Sequence, residues 1–169
     1  MSVAFETIQQ MSKMLRNLDQ WIDKTVAWAK EKPFDADVLV GARLAPDMYS
    51  FDRQVQSACD SAKFTAAYLA GKEAPAHPDV EKTMPELKKR IATVLGWLET
   101  LKEADFAGAE GRRVAPRWLQ GKWMRGDQYL LQCGGPNFFF HVTTAYAILR
   151  HNGAPLGKMD FLGTMPIRD

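Results

Sequence analysis

The stretch "PNFFFHVTTAYAILRHNG", residues 136–153, decides the fold of this chain. Its apolar residues recur at spacings of three and four and form one broad helical face: Phe138, Val142, Ala145, Tyr146 and Leu149. Proline is favoured in a first helical turn and glycine after a last one, so we expect a helix from Pro136 to Gly153. His141 lies at the edge of the apolar face, one turn after Asn137. We expect both polar side chains to point into a helix bundle.

Three earlier segments carry the same helical period, at residues 5–26, 46–71 and 83–101. Pro33 follows the first segment and disfavours helix in the residues before it. The second segment is expected to begin with Pro46 in its first turn and to end at a capping glycine. The third opens on "TMPE", which has the spacing of a capping box. Four amphipathic helices predict an all-α bundle.

Length and composition exclude several classes of protein. The 169 residues fit one domain, and 46% hydrophobic with 25% charged residues is typical of a globular protein. A formal net charge of +2 is too small to indicate a nucleic-acid or anionic-membrane partner. We recognise no signal peptide, and no apolar run approaches the ~18 residues of a membrane span. The chain is therefore predicted to be cytoplasmic, with no membrane partner.

The segment "RRVAPRWLQGKWMRGDQYLLQCGG", residues 112–135, lacks the helical period. Val114, Pro116 and Trp118 fall on one side of an extended chain, and "QGK" is a turn candidate, so we expect a short β-hairpin between the third and fourth helices. The basic residues with Trp118 and Trp123 also resemble a nucleic-acid-binding patch. Nearby acidic residues dilute that charge, and a solvated strand face is the favoured interpretation.

Three blocks of the sequence identify a family. They are "RLAPDMYSFDRQVQSACDSAK" at residues 43–63, "TMPELKKRIA" at 83–92 and "PNFFFHVTTAYAILRHNGAPLGKMDFLG" at 136–163. They closely resemble a family of bacterial proteins of unknown function that is grouped with the DinB and YfiT-like helical bundles. The resemblance covers nearly the whole chain as a single domain, residues 1–169. It implies a four-helix bundle with a long crossover and a dimeric habit.

The same resemblance argues against a metal cofactor. Metal-binding members of the wider group carry one histidine on the second helix and an HxxxH pair on the fourth. In this chain the pair reads as Asn137 and His141, and the position on the second helix falls near Ser57. Amide and hydroxyl oxygens are poor substitutes for imidazole at zinc or nickel. We expect no metal cofactor; if a divalent zinc or nickel ion binds, His141 is its expected ligand.

A pocket without a metal is the remaining candidate site. Its predicted members are Asn137, His141 and Tyr146 from the fourth helix and Gln54, Ser57 and Asp60 from the second. A neutral imidazole near a carboxylate can act as a general base, which makes His141 the candidate catalytic residue. Alternatively, Asp60 and Gln54 only satisfy the hydrogen bonds of a buried histidine. Spacing does not choose between the two interpretations.

Other reactive side chains are given structural interpretations. Cys59 is expected to pack in the core. Cys133 precedes a helix start whose dipole lowers a thiol pKa, but no partnering base is visible in the sequence. The "GGP" at residues 134–136 offers helix N–H groups to an anion, although a tight turn is the favoured interpretation. His77 is expected to be a solvated loop residue.

Two function classes stay open from the sequence. The first is a non-catalytic small-ligand or partner-binding bundle, and the second is an enzyme resembling the metal- or thiol-dependent transferases and hydrolases of the DinB-like group. The lost histidines favour the first. Trp118, Trp123, Phe161 and Leu162 lie outside the four helices, in segments that we expect not to be helical. They should pack back on the bundle or meet another subunit, and we predict a homodimer.

Overall fold

The computed structural model describes residues 2–168, which form four long helical runs and a small hairpin. The α-helices are α1 (Val3–Glu31), α2 (Phe51–Ala70), α3 (Met84–Leu98), α4 (Gly126–Tyr129), α5 (Gly135–His151) and α6 (Lys158–Leu162). Strands β1 (Arg113–Val114) and β2 (Met124–Arg125) pair antiparallel between α3 and α4. This architecture confirms the predicted all-α fold with a hairpin between the third and fourth helices. No helix within residues 2–168 is long and apolar enough to span a membrane.

The bundle core follows the predicted apolar stripes. Helix α2 packs most extensively on α5 and also contacts α3, while α1 contacts both α3 and α5. Phe138, Val142 and Leu149 of α5 are fully buried, as are Ile91 and Val94 of α3. Helix α3 begins with the predicted capping box, in which Thr83 and Glu86 satisfy each other's backbone N–H groups.

The second helix begins later than expected. Pro46 lies in a turn, and α2 starts at Phe51 after the N-cap residue Ser50. The chain before it is held down because the N–H groups of Phe51 and Asp52 donate to carbonyl groups of residues 42 and 40. Carbonyl groups of the preceding loop thus accept hydrogen bonds from the first N–H groups of α2, so the helix start does not need a proline. The predicted capping glycine, Gly71, has φ of 65°.

The last helical run starts ten residues before the predicted boundary at Pro136. Helix α4, a π-helical turn at Leu130–Gly134 and α5 follow one another without a break. A π turn is wider than an α turn and accommodates a proline, which has no N–H and whose ring crowds a regular helix. Residues 134–136 therefore lie inside the helical run. The predicted helix start at Pro136 was wrong, as was the tight turn favoured at "GGP", and residues 134–136 offer no helix N-terminus that could bind an anion or activate Cys133.

The two irregular segments also differ from prediction. Residues Arg117–Leu119 form a 3-10 turn, so Trp118 does not continue the strand, because Pro116 before it removes a ladder donor. The tail, expected not to be helical, contains α6. The Asp160 carboxylate accepts from the Gly157 N–H at 2.8 Å, which caps that short helix despite the flanking glycines.

Helix α6 docks on α1. The Phe161 ring stacks on Trp21 with centroids 5.5 Å apart, and Trp21 Nε1 donates to the Asp160 carbonyl at 2.9 Å. Phe161 is thereby packed within its own chain, the first of the two alternatives predicted for it. Trp118 and Trp123 remain 61% and 53% exposed.

Candidate functional site

A cleft of about 1000 Å³ lies along the groove between α2 and α5. One wall is a stripe of α2 that includes Ser57, Asp60, Phe64 and Tyr68, at helical spacings of three and four. The other wall comes from the π turn and α5, and residues 72–76, 79 and 117–118 close the sides. This cleft coincides with the predicted site region.

Three contacts set the register of the two helices that form the cleft. Gln54 meets His141, Ser61 meets Asn137, and Thr65 meets Gly134. Rising numbers on α2 pair with falling numbers on the opposite helix, so the two run antiparallel. A side-chain carbon at Gly134 would lie 2.6 Å from the Thr65 hydroxyl oxygen, so glycine is required for this close approach.

His141 lines the cleft and is only 9% exposed. Its Nδ1 lies 2.8 Å from Gln54 Oε1, and Gln54 Nε2 donates to the Tyr49 carbonyl at 3.2 Å. Because the amide nitrogen is committed to a carbonyl, the amide oxygen faces the ring, and Nδ1 must carry the proton. Nε2 is then an unprotonated acceptor, and none of residues 2–168 hydrogen-bonds to it. Burial lowers the pKa of His141 and keeps the ring neutral.

Asn137 and Ser57 also reach the cleft, as predicted. Asn137 Nδ2 donates to Ser61 Oγ at 2.6 Å, and that hydroxyl donates to the Ser57 carbonyl at 2.7 Å. The amide of Asn137 is therefore tied to α2. It occupies one of the positions where the family resemblance places a metal-binding histidine.

Asp60 and Tyr146 do not join His141. Asp60 lines the cleft, but its Oδ1 accepts from Arg90 and Lys63, each at 2.8 Å. Gln54, and not Asp60, satisfies the imidazole. Tyr146 lies on another face of α5, with its ring centroid 5.4 Å from that of Trp21. The pocket predicted from six residues thus contains four on its wall, with Gln54 behind His141 and Tyr146 elsewhere.

A buried charge network beside the cleft was missed by the sequence analysis. The side chains of Lys63 and Arg90 are 1% and 2% exposed. Arg90 contacts Glu81 at 3.2 Å and Asp79 at 3.3 Å, besides Asp60. The signal was present, since Arg90 adjoins Ile91 within the apolar stripe of α3 and faces the acidic run at residues 79–81.

The same network holds residues 77–81 against α2. Lys63 Nζ lies 3.1 Å from His77 Nδ1, and Gln56 Nε2 donates to Glu81 at 2.8 Å. His77 is half-buried, so its predicted solvation was wrong. Burial lowers its pKa, and the nearby Lys63 and Arg90 charges act in the same direction. The Nδ1 of a neutral His77 accepts a hydrogen bond from the Lys63 ammonium group.

Neither thiol is activated. Cys59 is fully buried, as predicted, and burial raises its pKa to about 12. Cys133 lines the cleft, and burial raises its pKa as well. Within residues 2–168, no three His, Cys, Asp or Glu side chains are grouped closely enough to hold a metal ion. The expected absence of a metal cofactor stays a prediction.

Comparison with known proteins identifies relatives but no activity. A family described as Domain of unknown function (DUF1993) matches residues 5–162. The crystal structure of a DinB family member protein from Shewanella denitrificans is 48% identical, with 96% of this chain and 92% of that chain covered and a TM-score of 0.92. No curated protein matches. These similarities confirm the resemblance to the DinB-like group and its fold.

Proposed function

Because this chain belongs to the DUF1993 family of DinB-like helical bundles, we propose that it binds a small organic molecule in the cleft between α2 and α5. Binding is non-catalytic, needs no three-histidine metal site, and takes place in a homodimer. The two free cysteines, Cys59 and Cys133, suit the reducing cytoplasm, where we place the protein.

The observation that carries this proposal is the unpaired Nε2 of His141. The Nδ1 of the ring is satisfied by Gln54, whereas Nε2 has no hydrogen-bond partner within residues 2–168 and is accessible from the cleft. Gln54 fixes the tautomer so that a lone pair, and not an N–H, is offered to the cleft. A ligand with an N–H or O–H donor would complete the hydrogen bonding of this ring.

The side chains at the other two positions, where metal-binding members of the wider group carry histidines, support a metal-free cleft. Asn137 already donates to Ser61, and the Ser57 side chain offers only a hydroxyl. One imidazole is a weak site for zinc or nickel, which are held in proteins by three or four ligands. Elemental analysis of untagged protein should therefore give far less than one metal ion per chain. Near-stoichiometric zinc or nickel that disappears in a His141→Phe variant would contradict this proposal.

The alternative is an enzyme of the transferase or hydrolase type, and one observation favours it. A neutral imidazole with a free Nε2 can remove a proton from a bound substrate or water. If a zinc or nickel ion binds, His141 would be its ligand. The protein's own thiols do not help, because burial raises the pKa of both.

Ligand binding can be tested by a thermal-shift screen of a metabolite library against three proteins. Wild type should be stabilised by some compounds that leave His141→Phe unaffected. His151→Phe is the matched control, because His151 is exposed at the far end of α5 and lies outside the cleft. If no compound distinguishes wild type from the His141 variant, the proposed function is wrong. Turnover of a compound identified in this way would favour the enzyme.

The homodimer is supported by apolar side chains that the bundle leaves in water. Trp123 is more than half exposed, and Leu131 and Val3 are 72% and 73% exposed beside a second, smaller cleft. Symmetric dimers commonly cover such surfaces. Light scattering at micromolar concentration should give twice the 19.0 kDa chain mass. A mass of one chain throughout would refute the dimer.

A further inference from the structure

We infer that the cleft is polar at one end and aromatic at the other, and that it takes an elongated planar aromatic molecule with an N–H or O–H donor at one end. This inference rests on the proposed function and specifies the chemical class of the ligand. It follows from the antiparallel register of the cleft helices, the open acceptor of His141 and the arrangement of aromatic rings along α2.

The polar end is the neighbourhood of Gln54 and His141. His141 offers a lone pair, and the adjacent wall carries the hydroxyl of Ser57 and the Ser61–Asn137 hydrogen bond. His141 as a whole is 9% exposed, and its Nε2, which is accessible from the cleft, has no hydrogen-bond partner within residues 2–168. The end that contains it therefore selects a donor head group.

The aromatic end lies further along α2, where Phe64 and Tyr68 follow each other by one turn. Their rings stack with centroids 6.2 Å apart, and Tyr129 meets Tyr68 edge-on at 5.7 Å. The ammonium of Lys63 lies 4.7 Å from the centre of the Phe64 ring, which fixes that ring. Phe64 is 39% exposed and Trp118, which also lines the cleft, 61%. Such exposed faces favour stacking of a planar ring.

The separation of the two ends sets the length of the ligand. Gln54 and Phe64 are ten residues apart on one helix, about 15 Å along its axis at the usual rise of 1.5 Å per residue. A molecule about 10–15 Å long reaches from the His141 acceptor to the aromatic rings. A compact ligand can use only one end. The cleft volume of about 1000 Å³ leaves room for the longer molecule.

The donor requirement can be tested with two probes that differ by one group. 4-Phenylphenol has an aromatic body and one O–H donor, and 4-methoxybiphenyl has the same body without the donor. NMR titration of wild type should show the phenol binding roughly 3- to 10-fold tighter, the effect of one hydrogen bond. In His141→Phe the two probes should bind equally. Equal binding to wild type, or a phenol preference that survives in His141→Phe, would overturn the inference.

The aromatic end is tested by a matched pair of tryptophan variants. Trp118→Ala should weaken both probes several-fold, by roughly the stacking energy of one ring. Trp123→Ala, which removes an equally exposed ring outside the cleft, should change neither. The opposite ranking would place the aromatic body elsewhere and contradict the inference. If the metabolite screen yields His141-dependent ligands that are all compact or non-aromatic, the ligand class is wrong while the proposed binding function stands.

Discussion

Helix α2 touches two polar regions that are built on opposite principles. In the network around Arg90, each charged group faces an opposite charge, with Asp60, Asp79 and Glu81 around the guanidinium. At His141 one ring nitrogen is satisfied by Gln54 and the other is open to the cleft. The first region pairs its charges within the protein, although the buried Nε of Arg90 has no hydrogen-bond partner within residues 2–168. The second is incomplete within the protein.

The difference separates stabilising from ligand-binding polar groups. Buried charges that face opposite charges hold segments in place, and removal of one partner leaves the others buried without a counter-charge. An accessible acceptor without a protein partner adds no hydrogen bond to that scaffold and is free to pair with a ligand.

The largest effect on stability is expected when the ion pairs of Arg90 are removed. Replacing Arg90 with methionine keeps the volume but leaves Glu81 without its cation and Asp60 with Lys63 alone. The free energy of unfolding should fall by roughly 3–5 kcal/mol, the usual loss when one partner of a buried ion pair is removed. Urea denaturation measures it.

Lys88→Met is the matched control for Arg90→Met. Lys88 lies on the same helix and pairs with Asp19 and Asp23, but its side chain is 30% exposed. Loss of a partly exposed pair should change stability by about 1 kcal/mol or less. Equal losses in the two variants would mean that the Arg90 network is not more stabilising than a surface pair.

A smaller effect is expected at the open region. Gln54→Leu removes the partner of the His141 Nδ1–H and leaves a buried donor unsatisfied, which should reduce stability by about 1–3 kcal/mol. Gln9→Leu, at an exposed position of α1, should stay within about 0.5 kcal/mol of wild type. If Gln54→Leu is as stable as the control, Gln54 does not hold the imidazole.

The smallest effect is on the pH dependence of stability. His77 and His141 both have a pKa below their ordinary value of 6.5 in the folded protein. As pH falls below about 6.5 the unfolded chain takes up these protons first, so stability is full above that pH and declines below it.

The matched variant for this pH dependence is the double substitution His77→Gln, His141→Gln. Around His77, Lys63 and Arg90 lower the pKa, while Asp60 and Glu81 oppose them more weakly. Because the variant lacks both imidazoles, its unfolding free energy should decline less between pH 6.5 and the range where carboxylates titrate. Parallel curves for the two proteins would exclude the histidines as the cause.

The fold was largely predictable because helical periodicity and caps are local. The apolar stripes of α1, α3 and α5 and the Thr83 capping box all appear in the structure. The start of α2 was not predictable, because it depends on hydrogen bonds to the preceding loop. The π turn before Pro136 was not predictable either, because its wider geometry leaves no periodic signal in the sequence. Helix α6 was missed because its stability comes from docking on Trp21.

The site was predictable only in part, for a similar reason. Helical spacing placed His141 and Asn137 on one flank of the fourth helix, and the family resemblance added Ser57 on the second. Spacing could not assign the partner of His141, because Gln54 and Asp60 both lie on α2 within reach of the same helix face. In the structure Arg90 binds the Asp60 carboxylate, and Gln54 is left to accept from His141. The charges that compete for Asp60 come from α3 and from its own helix, and side-chain pairing across helices does not follow from periodicity.

The most direct test of the open acceptor is the tautomer of His141, read from long-range proton–nitrogen correlation NMR of the ligand-free protein above pH 7. The account predicts a neutral ring with the proton on Nδ1, where Gln54 accepts it, and an unprotonated Nε2. A compound that binds the cleft through a donor should then shift the Nε2 resonance most. A proton found on Nε2 would mean that the Gln54 amide is turned around and the cleft is offered a donor, which would contradict the central claim.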